Sequence, residues 1–93
     1  MLGAMDETMR ALADPTRREI LRALRAGDLP AGDIAARFDM SAPSISHHLN
    51  VLKDAGLVTA ERDGRHIIYS LNSTTLQDLM SELLEFVNVR KGK

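Results

Sequence analysis

The 93-residue sequence predicts a mainly α fold, five helices with a single two-stranded β-hairpin before the last of them. Three observations carry this. Apolar residues recur at helical spacing through most of the chain. Ser41, with Pro43 in the turn that follows, has the position and chemistry of a helix N-cap. Asp63-Gly64 separates two β-rich runs, which is a strong short-range hairpin signal.

The first helix runs from about Ala4 to Leu12, where Met5, Met9 and Leu12 at i, i+4 and i+7 form one apolar stripe. Asp14-Pro15 restarts the chain, since aspartate caps and proline fits the first helical position. The second helix puts Ile20, Leu21 and Leu24 on one side and Arg17, Arg18, Arg22 and Arg25 mostly on the other. It stops at Gly27. Pro30 precedes a short third helix, Ala31–Phe38, with Ile34, Ala35 and Phe38 inward. The fourth helix runs from Ser41 to about Ala55 and ends at Gly56.

The hairpin follows. With Asp63-Gly64 as the two turn residues of a type I′ turn, Arg62 pairs with Arg65, Glu61 with His66, Ala60 with Ile67 and Val58 with Tyr69. Two arginines then flank the tip. The last helix starts near Thr74, where Thr74 and Gln77 fit a capping box. Its stripe is Leu76, Leu79, Met80, Leu83 and Val87, widened by Leu84 and Phe86. That is more apolar surface than one small core needs.

Composition sets the outer limits. One domain over residues 1–93 is expected, burying about 60–65% of its unfolded surface. Hydrophobic residues are 44% and charged residues 27%, which excludes disordered and collagen-like classes. No run approaches the roughly 20 apolar residues of a membrane span, and the start has no signal-peptide pattern, so a cytoplasmic protein is expected without membrane insertion. With no cysteine there are no disulfides, thiolate metal sites or cysteine nucleophiles. Glycine-rich phosphate loops, nucleophile elbows and inward carboxylate pairs are missing too, so no enzyme is expected. The five methionines read as core filler.

Two short helices joined by a few residues, the second capped by serine, describe a helix-turn-helix over about residues 31–55. The hairpin at about 57–71 adds a wing. At about 100° per residue, Ile45, Leu49 and Leu52 define the inner side of the fourth helix. Pro43, Ser44, His47 and Asn50 point away from it, with Ser46 on the flank. This outer face is small and polar and begins at Ser41. Such a helix N-terminus suits the major groove, where backbone amides and the dipole meet phosphates and polar side chains reach base edges. Arg62 and Arg65 would reach phosphate or the minor groove from the wing. The net charge of −1 gives no help, because basic and acidic groups are balanced along the whole chain.

The histidines do not read as a metal site. His47 and His48 diverge by about 100° on the helix, and His48 falls back toward the core as a partly buried, hydrogen-bonded residue. His66 faces Glu61 across the hairpin. Asp78, Glu82 and Glu85 form a solvated acidic face on the last helix. No metal or other cofactor is expected.

The stretches Ala11-Leu12-Ala13-Asp14-Pro15-Thr16-Arg17-Arg18-Glu19-Ile20-Leu21, Ala31-Gly32-Asp33-Ile34-Ala35 and Ser44 through Val58 resemble the ArsR/SmtB family of bacterial winged-helix repressors. Arg62-Asp63-Gly64-Arg65 and Ile67 through Asn72 are similar to its SdpR-type autorepressor branch. The resemblance covers about residues 9–87. It implies a homodimer through the first and last helices, about 4–13 and 74–89, using Met5, Met9, Leu12, Leu76, Leu79, Met80, Leu83 and Val87. It also implies Ser44, Ser46 and His47 on base edges or nearby phosphate, with Arg62 and Arg65 on the wing. The expected partner is double-stranded DNA carrying a pseudo-palindromic operator, with an unknown inducer or partner protein as the means of release. The family's metal sensors carry cysteines on the third helix or in an N-terminal extension, or sets of His, Asp and Glu on the last helix. Leu29 through Ile34 has no cysteine and residues 74–93 have no histidine, so metal sensing does not carry over. The rival readings are a metal-responsive repressor of the same fold and a winged-helix interaction module without DNA binding.

Overall fold

Asp14 sets the first corner of the chain. In the computed structural model, which describes residues 4–87, its carboxylate accepts the amides of Thr16 at 2.8 Å and Arg17 at 3.1 Å. This separates α1 (Ala4–Leu12) from α2 (Pro15–Arg25), with Pro15 at the first helical position as its sequence predicts. Ile20, Leu21 and Leu24 are buried, and Arg18, Arg22 and Arg25 face solvent. Arg22 forms an i,i+3 ion pair with Glu19.

A short strand comes next, β1 (Leu29–Pro30), which leads directly into α3 (Ala31–Ala35). The sequence places the end of α3 at Phe38. The helix instead closes three residues earlier, and residues 36–38 tighten into i→i+3 bonds, Arg37 to Ile34 and Phe38 to Ala35. Ile34 is fully buried, and Ala35 and Phe38 pack against the core as expected.

α4 (Ala42–Asp54) starts at Ser41, whose Oγ accepts the Ser44 amide at 3.2 Å. Its other end is a Schellman closure. Leu57 N–H bonds the Leu52 carbonyl and Gly56 N–H bonds the Lys53 carbonyl, both at 2.9 Å, with Gly56 at φ +78°. Leu52 and Leu57, the apolar pair of this motif, are both fully buried.

β2 (Val58–Asp63) and β3 (His66–Leu71) form the hairpin, and β1 pairs with the far edge of β3 through Leu29 opposite Tyr69. The sheet thus has three antiparallel strands in the order β1-β3-β2, not two. The register also differs from the one the sequence predicts. Asp63 faces His66, Arg62 faces Ile67, Glu61 faces Ile68, Ala60 faces Tyr69 and Val58 faces Leu71. The turn residues are Gly64 and Arg65. Only Gly64 has positive φ, at +65°, so the type I′ turn that needs it at both positions is not formed. Glycine at the first central position is the preference of a II′ turn. His66 therefore has Asp63, not Glu61, across the hairpin, and Arg62 and Arg65 are not opposite each other.

α5 (Ser73–Glu85) begins one residue early, with Asn72 as N-cap and no side-chain cap. The expected Thr74–Gln77 capping box is not made, because Thr74 already lies inside the first turn. The Asn72 amide instead bonds the Leu57 carbonyl at 2.9 Å. The helix closes at Glu85 with Phe86 as C-cap, short of the expected end near residue 89; residues 88–89 lie outside the described residues. Leu79 is its buried residue.

The core joins α1, α2, α3, α4 and the sheet through Ala11, Ile20, Leu21, Leu24, Ile34, Ile45, Leu49, Leu52, Leu57, Val58 and Tyr69. Methionine is not its filler. Met5 is half-buried, and Met9, Met40 and Met80 are exposed. Well-packed Leu and Ile complete the interior and leave these four methionines on the surfaces of α1, α5 and the α3–α4 turn; Met1 lies outside the described residues.

Candidate nucleic-acid interface

The interface is built on α4, which packs on α1, α2, α3 and β2 through Ile45, Leu49 and Leu52. Those three side chains fix which side is left outside. Ser41, Pro43, Ser46, His47 and Asn50 are exposed, and Ser44 is half-buried. Ser41 and Ser44 are linked at 3.0 Å between their hydroxyls, so the helix mouth is ordered by its own residues. No acidic side chain occupies the first turn. The positive end of the helix dipole is thus open to an anion.

Arg62 and Arg65 are exposed at the end of the hairpin. Arg62 Nη1 approaches the Gly64 carbonyl at 3.5 Å, a weak contact that leaves the guanidinium available. The corrected register changes their setting. Arg62 leaves from the strand and Arg65 from the turn, so the two present charge from successive levels of the wing.

Behind this face sits a network that sequence reasoning missed. Arg17 is half-buried, and its guanidinium reaches the carbonyls of Ala11 and Arg10 and the Nδ1 of His48. His48 is accordingly the partly buried, hydrogen-bonded histidine that its angular position indicates. The available signal for Arg17 was its spacing, since Arg17, Leu21 and Leu24 follow i, i+4, i+7 on the buried side of α2. Burial pushes the nearby Asp14 carboxyl up. The Arg17 and Thr16 amides, with the charges of His48 and Arg17, outweigh this and hold it below its ordinary value.

The residues assigned by resemblance to a second chain divide into two groups. Leu12, Leu76 and Leu79 turn inward, and Met5 is half-buried. Met9, Met80, Leu83 and Val87 are exposed, at 44%, 60%, 38% and 71%, together with Leu84 and Phe86. A connected apolar surface therefore remains along α5 after the protomer has folded. Among the described residues, no three His, Asp or Glu side chains are grouped to hold a metal, and no helix is long and apolar enough to cross a membrane.

Residues 14–60 match the family model described as bacterial regulatory protein, arsR family. The chain belongs to the ArsR family. It is 52% identical over 84 residues to the transcriptional repressor SdpR of Bacillus subtilis, covering 90% of this chain and 93% of that one. A crystal structure of an ArsR family transcriptional regulator superposes with a TM-score of 0.90 at 27% identity, over 98% of this chain and all of the other. The solution structure of the homodimeric winged helix-turn-helix DNA-binding domain of Mb0332 from Mycobacterium bovis has a TM-score of 0.74 at 26% identity, over 91% of this chain and 80% of the other. As an ArsR family winged helix-turn-helix protein, the chain is a DNA-binding transcriptional regulator. The extra strand β1 does not disturb that architecture; it closes the inner edge of the wing sheet.

Proposed function

We propose that the chain is a cytoplasmic, homodimeric repressor of its own or a neighbouring operon. Each protomer inserts α4 into one half-site of a pseudo-palindromic operator. A two-fold dimer presents its two helices about one or more helical turns of DNA apart. Ser41, Pro43, Ser44, Ser46, His47 and Asn50 meet bases and adjacent phosphates, and Arg62 and Arg65 meet the backbone beside them. Occupancy needs no metal and no catalysis. Release comes through an inducer or partner protein that alters dimer geometry.

The observation that carries this reading is the acid-free, Ser41-capped end of α4, with Pro43, Ser46, His47 and Asn50 all exposed beside it. The uncovered apolar surface of α5 and the homodimeric state of the Mb0332 domain favour the second chain. The test is a mobility-shift titration with the promoter of the protein's own gene, at stated salt, against a scrambled duplex. Preferential binding is expected. His47→Ala should cost about 1–3 kcal/mol and relax preference at one base position per half-site. Equal affinity for promoter and scrambled duplex would remove the specific-repressor reading. A metal-responsive alternative would require zinc, nickel or manganese to bind stoichiometrically and change operator affinity.

A further inference from the structure

One side chain of α2 ties the end of α1 to the middle of α4. Arg17 donates from Nε to the Ala11 carbonyl at 2.8 Å and from Nη2 to the Arg10 carbonyl at 3.2 Å. Both belong to the last turn of α1, where the Arg10 carbonyl also accepts the Ala13 amide at 3.2 Å. Arg18 Nη1 takes the Leu12 carbonyl of the same turn at 2.8 Å. The remaining guanidinium nitrogen of Arg17, Nη1, lies 3.2 Å from His48 Nδ1. Thus α1, which borders the surface assigned to a second chain, and α4, assigned to DNA, are held by one rigid fork.

This contact dictates a protonation state. A guanidinium donates only. His48 Nδ1 must therefore accept, and the imidazole proton must sit on Nε2. An imidazolium has no acceptor, and it would bring a second positive charge against Arg17. Charged and titratable groups lie beside Arg17. Asp14, at the cap of α2, feels the charge of Arg17, and that of His48 when the ring is protonated. From α1, Glu7 and Arg10 line a groove of about 320 Å³ with Arg17, and from α4 His47 and Asp54 line it too. The His47 ring centroid is 5.8 Å from that of His48. A proton on Nδ1 would cost the ring its bond to Arg17 and place an imidazolium near Asp14. The two states differ in this one polar tie between α4 and the Arg17 fork, while Ile45, Leu49 and Leu52 stay packed in the core in both.

We propose that Arg17 is a positioning residue for DNA recognition: through neutral His48 it locks α4 to the C-terminus of α1, and protonation of His48 releases the lock and lowers operator affinity. The proposal rests on the reading that α4 enters DNA, so its test has one arm with DNA and one without.

Removing Arg17 also uncaps α1 and can unfold the chain, so the deciding variant is His48→Gln. Its amide oxygen accepts from Arg17 and gains no proton. Both proteins keep His47, so the contribution of that second imidazole is common to the two pH profiles and cancels in their comparison. Operator affinity is measured at about pH 8 and pH 5.5, an interval over which histidines commonly change charge. Affinity of the His48 protein should fall about fivefold more on acidification than that of His48→Gln, the lower range of measured coupling between sites. Identical pH profiles would overturn the proposal. In the arm without DNA, imidazole ¹⁵N shifts of the full chain at pH 8 should report the Nε2–H tautomer of His48. In Arg17→Gln, with folding checked by circular dichroism, the fraction of that tautomer should fall toward that of an unpartnered imidazole. A Nδ1–H tautomer in the parent protein would overturn the lock even if no operator were bound, whereas absent DNA binding with the expected tautomer would defeat only the DNA reading.

Discussion

Thr75 Oγ1 donates a 2.7 Å hydrogen bond to the Gly56 carbonyl, which fastens the first turn of α5 to the residue that ends α4. The helix proposed to enter DNA and the helix with the largest uncovered apolar surface are joined at that point. Gly56 is held at φ +78°. A Cβ there would meet Thr75 Oγ1 at 3.5 Å, an ordinary contact, so the cost of a side chain is backbone strain and not collision. Gly56→Ala should therefore destabilise by about 1–2 kcal/mol. Thr75→Val, which deletes the bond and keeps the shape, should cost about 0.5–1.5 kcal/mol. Urea unfolding of both variants checks this. Parent-like stability in Gly56→Ala would mean that the α4 terminus relaxes out of the left-handed region at no cost.

Asp14 caps α2 and is held below its ordinary pKa in the folded chain. Burial opposes this, and the Arg17 and Thr16 amides, with the charge of a protonated His48 and that of Arg17, prevail. The unfolded chain then binds this proton more readily than the folded one. The stabilisation is fully present above the unfolded value, about 3.9, and is lost as pH falls through the lowered folded value. Asp14→Ala should cost about 1 kcal/mol at neutral pH, typical of a missing N-cap. The difference from the parent should shrink as pH drops below about 4 in acid-titration unfolding curves. A difference that stays constant down to about pH 2 would separate the cap from its charge.

Much of this fold is legible before any coordinates because its punctuation is local. Asp14-Pro15, Ser41 and Gly56 each act on their own neighbours, and each ends or begins a helix where the sequence places it. What escapes is what depends on distant partners. β1 has two residues, one of them proline, and becomes a strand only because Tyr69 and Ile68 lie opposite. The hairpin register turns on whether positive φ falls on both turn residues or on Gly64 alone, a choice that Asp63-Gly64 does not determine. The last helix opens without its capping box because the Asn72 amide finds the Leu57 carbonyl first. At the site, the angular reading of α4 separates Ile45, Leu49 and Leu52 from Pro43, His47 and Asn50 correctly, since burial there follows helix geometry. Arg17 is harder. The sequence sets it with Arg18, Arg22 and Arg25 away from the apolar side, whereas the structure half-buries it against the α1 carbonyls and His48, distant partners that spacing on α2 does not reveal.

The wing makes a prediction that separates charge from shape. Arg62 leaves β2 and keeps only a 3.5 Å approach to the Gly64 carbonyl, so its removal should leave the hairpin folded. Arg62→Ala should weaken binding to all duplexes alike and reduce the dependence of log K on log salt by about 0.9 for each phosphate that the guanidinium neutralises. Titrations at several salt concentrations measure it. An unchanged slope would take Arg62 out of the interface and leave the DNA backbone to Arg65 and the end of α4.

Met80 distinguishes a surface residue from an interface residue. It is 60% exposed, and Leu83, Leu84, Phe86 and Val87 continue the same apolar surface along α5 and past its C-cap. If this surface only faced water, Met80→Glu would change stability by no more than about 0.5 kcal/mol. If it faces a second copy, each dimer gains two carboxylates in an apolar interface, where charge without a partner is costly to bury. The expected outcome is dissociation. Sedimentation at micromolar concentration should shift from dimer to monomer, the concentration dependence of Tm should disappear, and operator affinity should fall with it, because two half-sites are then read by separate chains. Leu79→Ala is the contrasting variant. Leu79 is 7% exposed within the protomer, so truncating it should cost about 2–5 kcal/mol of protomer stability. A Met80→Glu protein that stays dimeric and binds its operator as the parent does would move the second chain to another face.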